Sequence, residues 1–169
     1  MAMPPRNLLD NGKEILSYFQ LLLFDAAEPL KKYGLSVDIT GYEEMINEFE
    51  TLRLEDYLKA WDMSQELNAW SDYLSDIRSN CKRVLRDIET DKMSLKAEAS
   101  ELADKTKVAN GDRLANKDKT VISIRKERNA VEALCDLLDA KIQFLERAHY
   151  MAKKTFEWNQ NVSQESKKK

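Results

Sequence analysis

Apolar residues recur along this chain at alternating steps of three and four, the spacing that places them on one face of an α-helix. From Ala60 the steps land on Met63, Leu67, Trp70, Leu74, Ile77, Cys81, Val84, Ile88, Asp91, Leu95, Glu98 and Leu102, and eleven of these thirteen positions are apolar. Six heptads of this kind predict a coiled-coil seam about 65 Å long at 1.5 Å per residue. A second register steps from Val121 through Ile124, Arg128, Val131, Cys135, Leu138, Ile142, Leu145, His149 and Ala152 to Phe156, with nine of eleven apolar. Residues 103–120 between them hold Gly111 and no apolar period, which reads as a loop with frayed helical ends.

These patterns predict an all-α fold: a long antiparallel helical hairpin with heptad seams, preceded by short N-terminal helices. Two helices alone cannot bury both stripes together with the flanking Trp61, Tyr73, Leu85, Leu134 and Leu137. Further helices must cover them, either from the N-terminal segment or from other copies of the chain. A coiled-coil-like homo-oligomer is therefore expected, with Trp70, Ile77, Val84, Leu138 and Leu145 on the seam that packs it.

Ahead of the seams, a helix is predicted from about Lys13 to Asp25, with Asp10 or Asn11 as its cap. Pro29 and Gly34 break the helical pattern after it, and Leu35 to Ile39 reads as an extended connector. Thr40 and Glu43 form a capping-box pattern that opens a second helix with Tyr42, Met45, Ile46 and Phe49 on its apolar face. A break or bend is placed at 51–53. The resulting organisation is an acidic N-terminal helical segment at 1–53, the hairpin at 54–158 with its loop near 103–120, and a disordered basic tail at 159–169.

Composition narrows the class. Only 4 Gly and 3 Pro leave little punctuation for the many turns of an all-β fold. The apolar run at 15–24 contains Gln20 and is far short of the ~20 residues that a membrane span needs. No basic region or small-residue cleavage site marks it as a signal peptide, so a cytoplasmic protein without membrane contact is expected. Cys81 and Cys135 both fall on seam positions and read as reduced core thiols.

Charge is unevenly distributed. Residues 1–77 carry 6 Lys and Arg against 15 Asp and Glu, whereas 78–169 carry 21 against 15. An acidic front and a basic back suit self-complementary assembly or a polyanion-binding surface, and chance clustering on solvated helices gives the same totals. Arg78, Lys82, Arg86, Lys92 and Lys96 follow one side of the first long helix at positions off the seam. Such a stripe holds a phosphate backbone through counterion release, without sequence preference. Lys105, Lys107, Arg113, Lys117 and Lys119 extend the basic character into the loop, while Asp87, Glu89 and Glu101 interrupt it. A charge-laced coiled-coil surface reads the same way.

Catalytic chemistry finds little to work with. The one histidine, His149, sits on the predicted seam and reads as a packed residue rather than a general base. No spacing of His, Cys and carboxylates suggests a metal site, and no glycine-rich loop suggests a phosphate cradle. No enzyme and no cofactor are expected. Two carboxylates, Asp91 and Glu98, fall on the seam, where an unpaired charge is costly to bury. Arg128 on the second helix can pair with one of them in an antiparallel hairpin; alternatively the coil splays near its loop end.

Trp61-Asp62-Met63, Trp70-Ser71-Asp72-Tyr73-Leu74, Leu85-Arg86-Asp87-Ile88-Glu89 and Leu95-Lys96-Ala97 together resemble the phage UvsY-type recombination mediators. The stretches Ala115 to Ile122 and Ala152-Lys153-Lys154 are similar in kind to that family's second half, and the resemblance spans about 58–156. It implies a small helical protein that assembles into a ring-like homo-oligomer and binds single-stranded DNA. It also implies that the protein helps to load a RecA-like recombinase onto strands coated by single-strand-binding protein. The family's L-K-A-R motif supplies basic residues to DNA; here Lys96 matches the lysine, but Glu98 stands where the arginine belongs. The basic stripe would then have to compensate. The alternative is a phage protein–protein interaction module, a host-defence inhibitor or assembly chaperone without nucleic-acid binding. Its working surface would be the acidic N-terminal half around Tyr42, Phe49, Tyr57 and Trp61.

Overall fold

The computed structural model describes residues 17–53, 55–103 and 115–166. Four helices account for most of them: α1 (Tyr18–Lys32), α2 (Tyr42–Thr51), α3 (Tyr57–Ala103) and α4 (Lys119–Ser166). No strand occurs among the described residues, and the two long helices, α3 and α4, pack together as a hairpin. The chain divides into two compact units, one made of Met1–Leu35 with Val84–Leu134 and the other of Ser36–Arg83 with Cys135–Lys169. This division cuts across both long helices, so it differs from the boundary expected at residues 53 and 54.

In the second unit, α2 joins the early part of α3 and the late part of α4. Trp61 stacks on Phe156 at 5.0 Å, His149 Nδ1 lies 2.7 Å from the Ser64 carbonyl oxygen, and Arg78 meets Asp139. Numbers rise on one helix as they fall on the other, so the pairing is antiparallel. The seam side chains Met63, Leu67, Leu74, Ile77 and Cys81 are buried, as are Cys135, Leu138, Leu145 and Ala152 across from them. Tyr42 and Met45 of α2 are each only 2% exposed. Tyr42 meets Trp70 edge-on at 5.5 Å, and Phe49 meets Phe144 at 6.3 Å. Each such ring pair contributes about 0.5–1.5 kcal/mol beyond the area it buries.

In the first unit, α1 joins the late part of α3 and the early part of α4. Phe19, Leu22, Ala26, Pro29 and Leu30 form the buried stripe of α1. Val84, Ile88, Val121, Ile124, Val131 and Leu134 are the buried side chains of the long helices here. At the edges of this core, Tyr33 donates its hydroxyl hydrogen to Asp91 at 2.7 Å, and Lys32 pairs with Glu127 at 3.3 Å.

The ends of the short helices show local chemistry overriding two expectations. Ser17 caps α1: its hydroxyl accepts from the Gln20 amide while the Gln20 side chain accepts from the Ser17 amide. The caps expected at Asp10 or Asn11, and a start near Lys13, lie outside the described residues. Pro29 does not end the helix but sits inside its last turns. Its ring removes one donor close to the C-terminus, where three further residues finish the helix, and packing at its buried position offsets that loss. Termination falls instead to Gly34 at φ 76°, with Leu35 N–H bonded to the Leu30 carbonyl and Gly34 N–H to that of Lys31. That double closure is a Schellman motif, which needs a residue able to adopt the left-handed conformation.

At α2 the expected capping box between Thr40 and Glu43 is not formed. Gly41, at φ 87°, is the cap, and no side chain caps this end. The Thr40 hydroxyl is already committed to the Asp38 carboxylate at 2.6 Å, alongside its amide at 2.8 Å. The break at 51–53 is observed: α2 ends at Thr51, and Leu52 and Arg53 are not helical. Helix α4 runs on through Ser166, so the tail expected to be disordered from 159 is helical as far as the description extends. Nothing between 119 and 166 is a glycine or proline, and the Asn159 side chain donates through Nδ2 to the Thr155 carbonyl one turn back at 2.9 Å. Most of the loop predicted at 103–120 lies outside the described residues.

Trp70, Ile77, Val84, Leu138 and Leu145, placed by the sequence on a seam that either the N-terminal helices or other copies must cover, are covered within the chain. Four of them are buried and Trp70 is half-buried beneath Tyr42. The covering helices come from the chain's own N-terminal segment. Leu138 is wholly enclosed. Truncation by Leu138→Ala is expected to cost about 2–5 kcal/mol in a chemical-denaturation measurement with an unchanged m-value, whereas Met93→Ala, at an exposed position of α3, stays within about 0.5 kcal/mol.

Candidate nucleic-acid interface

The five residues of the predicted basic stripe all lie on α3, away from its buried face, and none is buried. Their electrostatic surroundings differ from a bare cationic track. Arg78 and Lys82 converge on Asp139 of α4, the lysine at 3.9 Å. Lys92 Nζ lies 2.6 Å from Glu89, whose other oxygen accepts from Arg128 Nε at 2.8 Å. Lys82 and Arg86 are the exposed members, whereas Arg78, Lys92 and Lys96 are partly covered. Of the carboxylates that interrupt the stripe in sequence, Glu89 is the partner of Lys92, whereas Asp139, the partner of Arg78 and Lys82, comes from the other long helix. Half-exposed ion pairs of this kind contribute only about 0–1 kcal/mol each, so a phosphate can compete for the same cations.

Of the two arrangements the sequence left open for the seam carboxylates, the pairing of Arg128 with Asp91 or Glu98 is not the one seen. Arg128 is held by Glu89 and, through both terminal nitrogens, by Glu132 one turn along α4 at 2.8 and 2.9 Å. Asp91 and Glu98 are exposed, since the seam stops being buried after Ile88, and Asp91 serves as the acceptor for Tyr33. The hydrogen bond from Lys92 and the guanidinium of Arg128 hold the Glu89 carboxyl below the usual glutamate range. Burial works against the Arg128 charge, but Glu132 and Glu89 outweigh it and keep the guanidinium protonated above its ordinary value.

His149 is half-buried with Nδ1 at the Ser64 carbonyl, an arrangement in which that nitrogen carries the proton and donates it. It is a packing residue of the hairpin. Cys81 and Cys135 are free, buried and in contact across the two helices. Their mutual hydrogen bond, together with burial, pushes the Cys81 thiol well above its ordinary range, which suits a non-ionised core thiol. Among the described residues no group of three or more His, Cys, Asp and Glu side chains could hold a metal ion. No described helix is long and apolar enough to cross a membrane.

A second cationic surface, absent from the sequence expectations, lies on late α4. Arg147, Tyr150, Met151, Lys154 and Trp158, at offsets of three, four, seven and eleven from the first, share the side opposite the buried Leu145, Ala148 and Ala152. All five are exposed, Tyr150 by 60% and Trp158 by 72%. The Lys154 ammonium sits over the Tyr150 ring at 5.5 Å and also reaches Glu157 at 2.9 Å. Interleaving cations with solvated aromatic rings is the chemistry of single-strand recognition, in which bases stack while the backbone is neutralised. The signal was present in the sequence as a second helical stripe opposite the seam, hidden because a hydrophobic count credits Tyr150, Met151 and Trp158 to the core. Of the aromatic residues assigned to the alternative protein-binding surface, Tyr42 is buried, and Phe49 and Trp61 are engaged with Phe144 and Phe156.

Comparison with protein-family models, with curated proteins and with solved structures finds no match.

The Glu89 cluster makes a pH-dependent contribution. A carboxyl whose folded pKa lies below its unfolded value, about 4.3, stabilises the fold at higher pH and loses that effect as pH falls through the folded value. Glu89→Gln is therefore expected to lower stability at pH 7 by at most about 1 kcal/mol, given its partial exposure, and by a smaller amount near pH 3. Paired urea melts at the two pH values check this.

Proposed function

We propose that the chain is a non-enzymatic mediator that binds single-stranded DNA as a homo-oligomer and assists a RecA-like recombinase in loading onto strands coated by single-strand-binding protein. The observation that carries the DNA-binding part is the solvated face of α4, on which Arg147 and Lys154 alternate with Tyr150 and Trp158. The stripe on α3 adds Arg78, Lys82, Arg86, Lys92 and Lys96, whose carboxylate partners make each phosphate contact an exchange rather than a pure gain. Binding per chain is then weak, and assembly into several copies turns weak contacts into useful avidity. Copies of the chain have Tyr18, Leu21 and Phe24, exposed along one side of α1, through which to associate. The recombinase and single-strand-binding protein enter through the resemblance to the UvsY-type mediators.

A second reading, a protein–protein interaction module such as a host-defence inhibitor or assembly chaperone, is favoured by the number of stripe cations already paired with carboxylates.

Fluorescence anisotropy of a labelled oligothymidylate separates the two. Binding is expected at ~50 mM salt and to fall steeply by ~200 mM. Trp158→Ala is expected to weaken it by about 1–3 kcal/mol, the worth of one stacked base, with no change in thermal stability. The double charge reversal Arg147→Glu with Lys154→Glu is expected to flatten the salt dependence. An unchanged anisotropy at the lowest salt would leave only the second reading. Self-association is checked by sedimentation: Phe24→Asp is expected to shift the wild-type oligomer toward monomer.

A further inference from the structure

The segment between α1 and α2 does more than connect them. It is fastened to α3 by a two-way hydrogen bond, in which the Tyr73 hydroxyl donates to the Asp38 carbonyl at 2.8 Å and lies 3.4 Å from the Asp38 amide. Beside this fastening lies an open cleft of about 350 Å³, lined by Asp38, Thr40, Glu66, Ala69, Trp70 and Tyr73. Glu66, Ala69, Trp70 and Tyr73 follow one face of α3, and the connector supplies the opposite wall.

The lining has a definite chemistry. Trp70 and Tyr73 stand at 78° to one another with centroids 5.6 Å apart, forming an aromatic corner. Tyr42 braces Trp70 from α2 in a second edge contact, so the indole is fixed in place. Besides the tyrosine, the titratable groups of the lining are two carboxylates. Asp38 is held in one orientation by two hydrogen bonds from Thr40, and its second carboxylate oxygen accepts none of the bonds described. Gly41, whose backbone takes a conformation that side-chain-bearing residues rarely adopt, turns the connector into α2 next to Trp70. Ring faces attract cations through their quadrupole, and two carboxylates at the rim add charge complementarity.

We propose that this cleft is a binding site for an alkylated organic cation, presented as the arginine or lysine side chain of a partner protein. The cleft is too open to enclose a free small amine, which small-molecule sites surround on most of its surface. A side chain projecting from a larger surface arrives with its stem already ordered, and the cleft has room for a guanidinium or ammonium group together with its stem. The site shares no residue with the cationic faces of α3 and α4, so it stands whether or not the chain binds DNA.

The test is a titration of the ¹⁵N-labelled full chain, followed through the Trp70 indole resonance, assigned by its loss in Trp70→Leu. The probes are a short arginine-containing peptide, the same peptide with citrulline in place of arginine, and choline. The arginine peptide is expected to give a saturable shift with a dissociation constant on the order of 1 mM, weakened by added salt. The citrulline peptide, equal in shape but uncharged, is expected to give none. Glu66→Gln, at an exposed position whose loss leaves the fold intact, is expected to weaken binding at least several-fold. Equal shifts from arginine and citrulline, no saturable shift at all, or tighter binding of choline than of the peptide would each overturn the proposal.

Discussion

The structure depends on removing two long apolar stripes from water. A helix pair presents each stripe to its partner over only part of its circumference, and residues just off the seam, such as Leu134 and Ala148, remain to be covered. In each compact unit one short helix completes the burial. Phe19, Leu22, Ala26 and Leu30 of α1 serve one, and Tyr42 and Met45 of α2 serve the other. Fully burying one large aliphatic side chain is worth about 1.5–3 kcal/mol, so these few residues outweigh the surface ion pairs of the molecule.

That hierarchy explains the character of the polar surface. Wherever a cation of α3 finds a carboxylate, the arrangement follows from helices already placed by their cores. Asp139 receives Arg78 and Lys82, and Glu89 receives Lys92 and Arg128. Such pairs fix side-chain geometry more than they stabilise the fold, and they leave the cations exchangeable. The α4 face differs in that its rings are solvated. An exposed indole such as Trp158, set opposite a well-packed seam, has no structural task in the monomer and is available for contact.

Much of the fold was legible because the seam is a periodic signal. Residues from Ala60 to Ile88 and from Val121 to Ala152 are mostly buried at the predicted steps. The pattern was less able to say who covers the seam, since a stripe that needs a neighbour looks the same whether the neighbour is another copy or the chain's own N-terminus. Two local errors share a cause. Thr40 matched a capping motif, yet Asp38 two residues earlier captured its hydroxyl; Pro29 looked like a terminator, yet its position near the helix end made it tolerable. The candidate basic stripe was placed correctly off the seam, but its partners sit on another helix or at helical spacing. Charge patterning along one strand of sequence cannot reveal Asp139 beside Arg78. The α4 face and the aromatic corner at Trp70 escaped for the opposite reason: both depend on which aromatic side chains end up solvated.

The partners of α1 lie far along the chain. Tyr33 meets Asp91 across 58 residues, and Lys32 meets Glu127 across 95. By contrast, the connector reaches Tyr73 across only 35. During synthesis from the N-terminus, α1 is therefore complete long before the surface that shelters it exists, and its apolar stripe must wait in an unpartnered helix. The closure of α2 onto early α3 costs less loop entropy and has its first partners available sooner. Docking of α1 is thus set to be a late event in the birth of the molecule, and Phe19, Leu22 and Leu30 are the residues a chaperone would meet in the interval.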